Sequence, residues 1–196
     1  MTSAGDTFPE NAAQENTVRV RLDVAYDGGA FSGWAAQPDR RTVAGVLTAA
    51  LERLLGPVRG LTAAGRTDAG VHATGQVCHV DVPADRWASL TDTVVRRLAA
   101  LLPDDVRVTA ATEVPAAFDA RFSALSRRYA YRVSDAPYGV SPLRRHDTLA
   151  WPRPLDLTAL RAACPGLLGE HDFAAYCKRK EHGTTVRAIT HLDWHR

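Results

Sequence analysis

The stretch Val18-Arg19-Val20-Arg21-Leu22-Asp23-Val24, running into the turn residues Tyr26-Asp27-Gly28-Gly29, sets the architecture. Apolar residues at 18, 20, 22 and 24 alternate with charged ones at 19, 21 and 23, the period of a half-buried strand that ends at a glycine turn. Downstream the period changes. Thr42 is placed to cap a helix whose apolar positions Val43, Val46, Leu47, Ala50, Leu51 and Leu54 follow helical spacing, and Gly56-Pro57 closes it. A short strand over about Val58 to Ala64 leads into a glycine-punctuated loop, Gly65 to Gly75. Gln76 to Val82 then reads as the returning strand, with Cys78, Val80 and Val82 on one side. A second helix over about Leu90 to Leu102 stops at Pro103, and Val106 to Thr112 forms another strand.

The order strand, helix, strand, strand, helix, strand is the split βαβ pattern of ferredoxin-like domains, so the predicted class is α+β. Beyond Pro115 the pattern restarts. Arg127 to Val133 is expected as a strand, Asp156 to cap a helix through about Leu168 that Pro165 breaks or kinks, and Ala188 to Trp194 as a final strand. The expectation is two ferredoxin-like halves sharing a mostly antiparallel sheet. They follow a polar disordered tail, residues 1–16; the first half covers 17–115 and an incomplete second half 116–196. If the second half repeats the first, a strand, a helix and a strand are missing after Arg196, and the last strand is left with an unpaired edge.

Composition bounds the rest. Hydrophobic residues make up 45% of the 196 and charged residues 23%, enough for real cores. No apolar run is long enough to span a membrane and the polar N-terminus is no secretory signal, so a cytoplasmic protein is expected. Cys78, Cys164 and Cys177 have neither disulfide-framework nor CxxC spacing and are expected as buried thiols. Formal charge is +2, and of 24 basic residues only Lys178 and Lys180 are lysines. Arginine forks phosphate and stacks on bases, which suits RNA; codon bias in a GC-rich genome would produce the same excess.

Chemistry concentrates in Ala64-Gly65-Arg66-Thr67-Asp68-Ala69-Gly70-Val71-His72-Ala73-Thr74-Gly75-Gln76. Its glycines permit close approach, while Arg66 and Asp68 supply a phosphate fork and a carboxylate. The residues alone leave Asp68 open between a catalyst and a turn residue bonding its own backbone, and favour the latter. No GK[ST] ending, GxGxxG or HExxH is present, and His171, Cys177 and His182 match no standard zinc spacing. Chemistry without metal or cofactor is therefore expected. A second cluster, Phe118-Asp119-Ala120-Arg121-Phe122-Ser123 followed by Arg127-Arg128-Tyr129-Ala130-Tyr131-Arg132, interleaves basic and aromatic residues. Arg121, Arg127 and Arg128 would hold phosphate while Tyr129 stacks on an unstacked base; alternatively Tyr129 and Tyr131 face a core.

Four landmarks in order, Tyr26-Asp27-Gly28 with Gly33-Trp34, the Gly65 to Ala73 block, Phe118 to Ser123 with Arg127-Arg128-Tyr129, and Leu168-Gly169-Glu170-His171-Asp172-Phe173, resemble the tRNA pseudouridine synthase A family. The resemblance runs from about Val18 to the end, and its Gly-Arg-Thr-Asp block reverses the preference against a catalytic Asp68. It implies isomerisation of uridine to pseudouridine in the tRNA anticodon stem-loop, with tRNA as partner, no cofactor and a homodimer. It also implies Asp68 as nucleophile, Tyr129 against the target uridine and Arg66 holding the flipped nucleotide. Two departures stand out: Ala99 replaces a common asparagine, and the family's closing hydrophobic and basic motif has no counterpart before Arg196.

Overall fold

The computed structural model describes residues 16–177 and 184–196; the remainder of the expected polar tail, together with Lys178, Lys180 and His182, lies outside them. The chain forms two compact units that divide between Tyr129 and Ala130.

The first unit is built on β1, Thr17–Tyr26, whose residues alternate between buried and half-buried from Val20 onward. It is followed by α1, Val43–Leu55; β2, Arg59–Ala63; β3, Ala73–Pro83; α2, Ala84–Leu90; α3, Val94–Leu101; and β4, Val106–Val114. The sheet order is β2-β3-β1-β4, and each neighbouring pair is antiparallel. Val20, Leu22 and Val24 of β1 and Cys78, Val80 and Val82 of β3 join Leu47 and Leu51 of α1 and Leu98 of α3 in one core. Leu47 and Leu51 are fully enclosed, and each such burial stabilises by about 1.5 to 3 kcal/mol. The Cys78 thiol in this core is pushed up to about 12, chiefly by burial.

The caps of α1 are those its sequence predicts. Thr42 Oγ1 accepts a hydrogen bond from the Gly45 amide at 3.2 Å. Gly56, at φ 84°, closes the helix by donating to the Glu52 carbonyl.

The helix expected over Leu90 to Leu102 begins only at Val94, as α3, and a separate helix not expected from the sequence, α2, ends at Leu90. Thr91 and Thr93 turn their hydroxyls back onto the carbonyls of Trp87 and Leu90, at 2.8 and 3.2 Å, and the interruption falls there. The returning strand begins three residues before Gln76, so the connecting loop is shorter than read from its glycines.

Among its described residues the second unit contains two separate two-stranded sheets. β5, Arg132–Ser134, pairs in parallel with β6, Thr148–Ala150. β7, Gly169–Asp172, pairs antiparallel with β8, Val186–Ile189. The strand expected from Arg127 thus shrinks to its last residues, and Arg127 to Tyr131 follow no regular ladder. Asp156 caps α4, Leu157–Ala163, by accepting from the Thr158 and Ala159 amides at 2.9 and 3.0 Å. As expected, Pro165 ends the α-helix, and the chain tightens into a 3-10 turn over Cys164–Leu167. The last strand ends at Ile189, short of the expected Trp194. It pairs along one edge with Gly169 to Asp172, and its other edge carries no strand among the described residues, as expected of the last strand. Cys177 is exposed, unlike Cys78 and Cys164. No helix among the described residues is long and apolar enough to cross a membrane.

Candidate active site

The loop between β2 and β3 carries Arg66 and Asp68, both exposed. Its exposure at the tip contrasts with how firmly its base is held. The Trp34 amide donates to the Thr67 carbonyl at 2.9 Å, and the Gly70 amide donates to the Phe31 carbonyl at 3.3 Å. Inside the loop, the Val71 amide donates to the Asp68 carbonyl at 3.2 Å. The backbone on either side of Asp68 is thereby fixed against the segment Gly28 to Trp34. No other side chain among the described residues pairs with the Asp68 carboxylate, so it is presented to solvent on a clamped backbone.

Two glycines of that segment explain why it takes this sequence. A Cβ at Gly28 would meet the Val71 carbonyl oxygen at 2.0 Å. At Gly33, φ is +95° and a Cβ would lie 2.9 Å from the Thr67 oxygen. The loop therefore rests on bare backbone. Asp27 finishes the support: its Oδ1 accepts from the Gly29 amide at 2.9 Å and lies 2.9 Å from His72 Nδ1, which is itself 3.2 Å from the Gly28 amide. Beneath them, Arg41 grips Asp105 through two hydrogen bonds of 2.7 and 2.8 Å and lies 4.0 Å above the Phe31 ring. That contact holds the Asp105 carboxyl below its ordinary range.

From inside the core, the Tyr26 hydroxyl meets Thr67 Oγ1 at 2.8 Å. Gln76 Nε2 donates to the Gly65 carbonyl at 2.6 Å and, at a longer 3.4 Å, to the Tyr26 hydroxyl. Tyr26 and Gln76 are 4% and 8% exposed. Their part is not foreseen from the sequence. The one signal was Gln76, a polar residue just before the apolar run of β3.

The second cluster is anchored to the far end of β1. Arg19 makes a two-pronged pair with Asp81, 2.7 and 2.8 Å, and its Nη1 also donates to the Ala116 and Phe118 carbonyls at 2.7 and 2.9 Å. This guanidinium keeps the Asp81 carboxyl below its usual range. Buried His79 accepts the Ala120 amide on Nδ1 at 3.0 Å, and Phe118 stands edge-on to its ring. Burial, reinforced by Arg19, lowers the pKa of His79, so the ring stays neutral and able to accept. Asp119 then turns the chain by accepting from the Arg121 and Phe122 amides, which lowers its own pKa.

The six residues singled out from the sequence all lie in the first unit, but in different states. Arg66, Asp68, Arg121, Arg128 and Tyr129 present exposed side chains, Tyr129 at 79%. Arg127 turns its guanidinium onto the Ala64 and Arg121 carbonyls and packs against Gly65. It ties the segment before Tyr129 to the start of the Asp68 loop. Tyr129 and Tyr131 do not face a core; both are exposed. Phe122 and Leu125 are exposed beside Arg121 and Arg127, which makes an arginine-flanked apolar surface.

A family model described as tRNA pseudouridine synthase matches residues 24–123. The chain is 56% identical over 180 residues to tRNA pseudouridine synthase A of Frankia casuarinae, covering 91% of this chain and 65% of that protein. It is 55% identical to that of Streptomyces griseus, covering 93% and 65%. With the enzyme of Mycobacterium leprae it shares 48% identity over 97% of this chain and 69% of that protein. The chain thus spans 65% of the length of the first two of these relatives.

Proposed function

The chain belongs to the tRNA pseudouridine synthase A family, and on that footing we propose that it isomerises uridine to pseudouridine in the tRNA anticodon stem-loop. Asp68 is the nucleophile. The N1–C1′ glycosidic bond of the uridine breaks, the uracil turns, and a C5–C1′ bond forms; the proton lost from C5 is matched by one gained at N1. No net oxidation, hydrolysis or external energy source enters the balance. What the protein supplies is position.

The observation that carries this reading is the exposed Asp68 carboxylate on a backbone clamped at Thr67 and Gly70. A reactive group on a loop must reach an extruded nucleotide without losing orientation, and those two backbone bonds meet both demands. Arg66, two residues away, holds the flipped nucleotide. Tyr129 stacks on the base or transfers a proton, and exposed Arg121 and Arg128 take phosphates. Arg127 contributes to this surface while bracing it. Taking the base out of the stack costs a few kcal/mol, which stacking and phosphate contacts offset.

The same reading extends to the architecture. The order β2-β3-β1-β4 with antiparallel neighbours supports a ferredoxin-like first half, with residues 116–196 as part of a second, and the working enzyme is a cytoplasmic homodimer acting on tRNA.

Asp68→Asn tests the assignment, since the amide keeps the shape and removes the nucleophile. Pseudouridine formation should vanish while tRNA affinity stays within a few-fold. The assay belongs on this chain and on the chain joined to the remaining third that its relatives carry. Turnover retained by the variant would remove Asp68 from its role.

A further inference from the structure

We propose that Tyr26 and Gln76 are positioning residues for Asp68, acting through a buried hydrogen-bond relay that sets the loop from below. The inference rests on the nucleophile assignment for Asp68. It concerns two buried residues that do not bond to the carboxylate.

The relay has a direction. The Gln76 side-chain amide is a donor, so at the Tyr26 hydroxyl the oxygen receives and the phenolic proton is left to go to Thr67 Oγ1. The other arm of the Gln76 amide ends on the Gly65 carbonyl. Both arms therefore terminate on loop residues, at 65 and 67, immediately before the nucleophile. Thr67 is held twice, by its hydroxyl from Tyr26 and by its carbonyl from the Trp34 amide.

A core that needed only to be filled would place apolar side chains here. Burying a hydroxyl and an amide is unfavourable unless each finds partners, and apart from their bond to each other these find them on the loop, at Thr67 and Gly65. The pair stands where the sheet meets the loop. Tyr26 is the last residue of β1, and Gln76 faces Val24 across the β1–β3 ladder. Tilting of Tyr26 is limited by Trp34, whose ring lies 6.0 Å away. The relay thus transmits the rigidity of two central strands to the backbone that carries Asp68. If it is cut, the loop stays folded on Gly28 and Gly33 but loses its registration, and a 1 Å misplacement of a reacting group is worth on the order of 100-fold in rate.

The test compares wild type, Tyr26→Phe, Thr67→Val and the double variant, on this chain and on the chain joined to the remaining third that its relatives carry. Tyr26→Phe should lower kcat roughly 10- to 100-fold with KM within about 2-fold, and the double variant should lose no more than the worse single one. Hydrogen exchange at the Trp34 and Gly70 amides, which needs no turnover, should quicken on the order of tenfold in Tyr26→Phe. Unchanged kcat, or losses that multiply in the double variant, would overturn positioning through Thr67 while leaving the nucleophile assignment in place. An inactive wild type would instead remove the functional reading. Exchange would then decide alone: faster exchange supports the relay as the clamp on the loop, and unchanged exchange overturns it.

Discussion

Gly28 and Val71 are in backbone contact: a single added Cβ at position 28 would sit 2.0 Å from the Val71 carbonyl oxygen and 2.4 Å from its carbon. Neither atom belongs to a flexible side chain, so one of the two segments must move. Gly28→Ala should therefore destabilise the first unit by about 1 to 3 kcal/mol and displace the loop. Gly70→Ala offers the comparison, because Gly70 has φ +80° but open space around it, and its cost is the strain of that conformation alone, roughly 1 kcal/mol. Chemical denaturation of both variants decides it; a Gly28→Ala protein as stable as wild type contradicts the packing.

Tyr129 is 79% exposed, so its truncation should leave folding stability within about 0.5 kcal/mol. If the ring stacks on a base, Tyr129→Ala weakens tRNA binding by about 1 to 3 kcal/mol and Tyr129→Phe does not. Binding isotherms on the three proteins at one salt concentration separate the outcomes. Three equal affinities would take the ring out of the interface.

Two neighbouring arginines should behave differently. Arg128 is exposed and available to phosphate, so Arg128→Ala should reduce the slope of log affinity against log salt by roughly 1 and leave the melting temperature alone. Arg127 holds the Ala64 and Arg121 carbonyls, so Arg127→Ala should lower stability as well as affinity. A melting temperature untouched by Arg127→Ala would show that the bracing is dispensable.

His79 makes stability pH-dependent with a definite sign. Its folded pKa lies below the ordinary 6.5, so just under that pH the unfolded chain binds a proton that the folded chain excludes. Stability should therefore fall as pH drops through about 6.5 toward the lowered folded value. Arg19, Asp81 and Asp119 are the charged groups around it, and Arg19 opposes protonation while the two carboxylates favour it. His79→Asn keeps an acceptor for the Ala120 amide and has no titration, so it should flatten that segment of the stability curve. His79→Ala leaves the buried amide without its partner, at a cost of about 1 to 3 kcal/mol. Denaturation midpoints across this window for all three proteins check it, and parallel curves for wild type and His79→Asn would contradict it.

Much of the first unit was legible because its signals are local. The alternation of Val18 to Val24, the Thr42 cap and the Gly56 stop each depend on neighbours within a turn or two. The break at Thr91 to Thr93 was not legible, since threonine hydroxyls interrupt a helix only where they bond back to its carbonyls. Arg127 to Tyr131 failed for another reason: alternating residues look the same whether or not a partner strand exists, and strand pairing is long-range. At the site, the loop of Arg66 and Asp68 stood out by its glycines. Tyr26 and Gln76 did not, because their partners lie 41 and 11 residues away. Likewise nothing in an Arg-Arg pair tells which member turns back onto carbonyls.

The two ends of β1 hold different things. Arg19 fixes the carbonyls of Ala116 and Phe118, and Tyr26 fixes Thr67. At about 3.3 Å per residue these fastenings stand roughly 23 Å apart along a strand flanked on both sides. Such a strand does not stretch, so the Phe118 turn and the Asp68 loop hang on one rigid spar, and Arg127, between the Ala64 and Arg121 carbonyls, is the strut that closes the frame. Adjustment falls to the exposed arginine and tyrosine side chains instead of the frame.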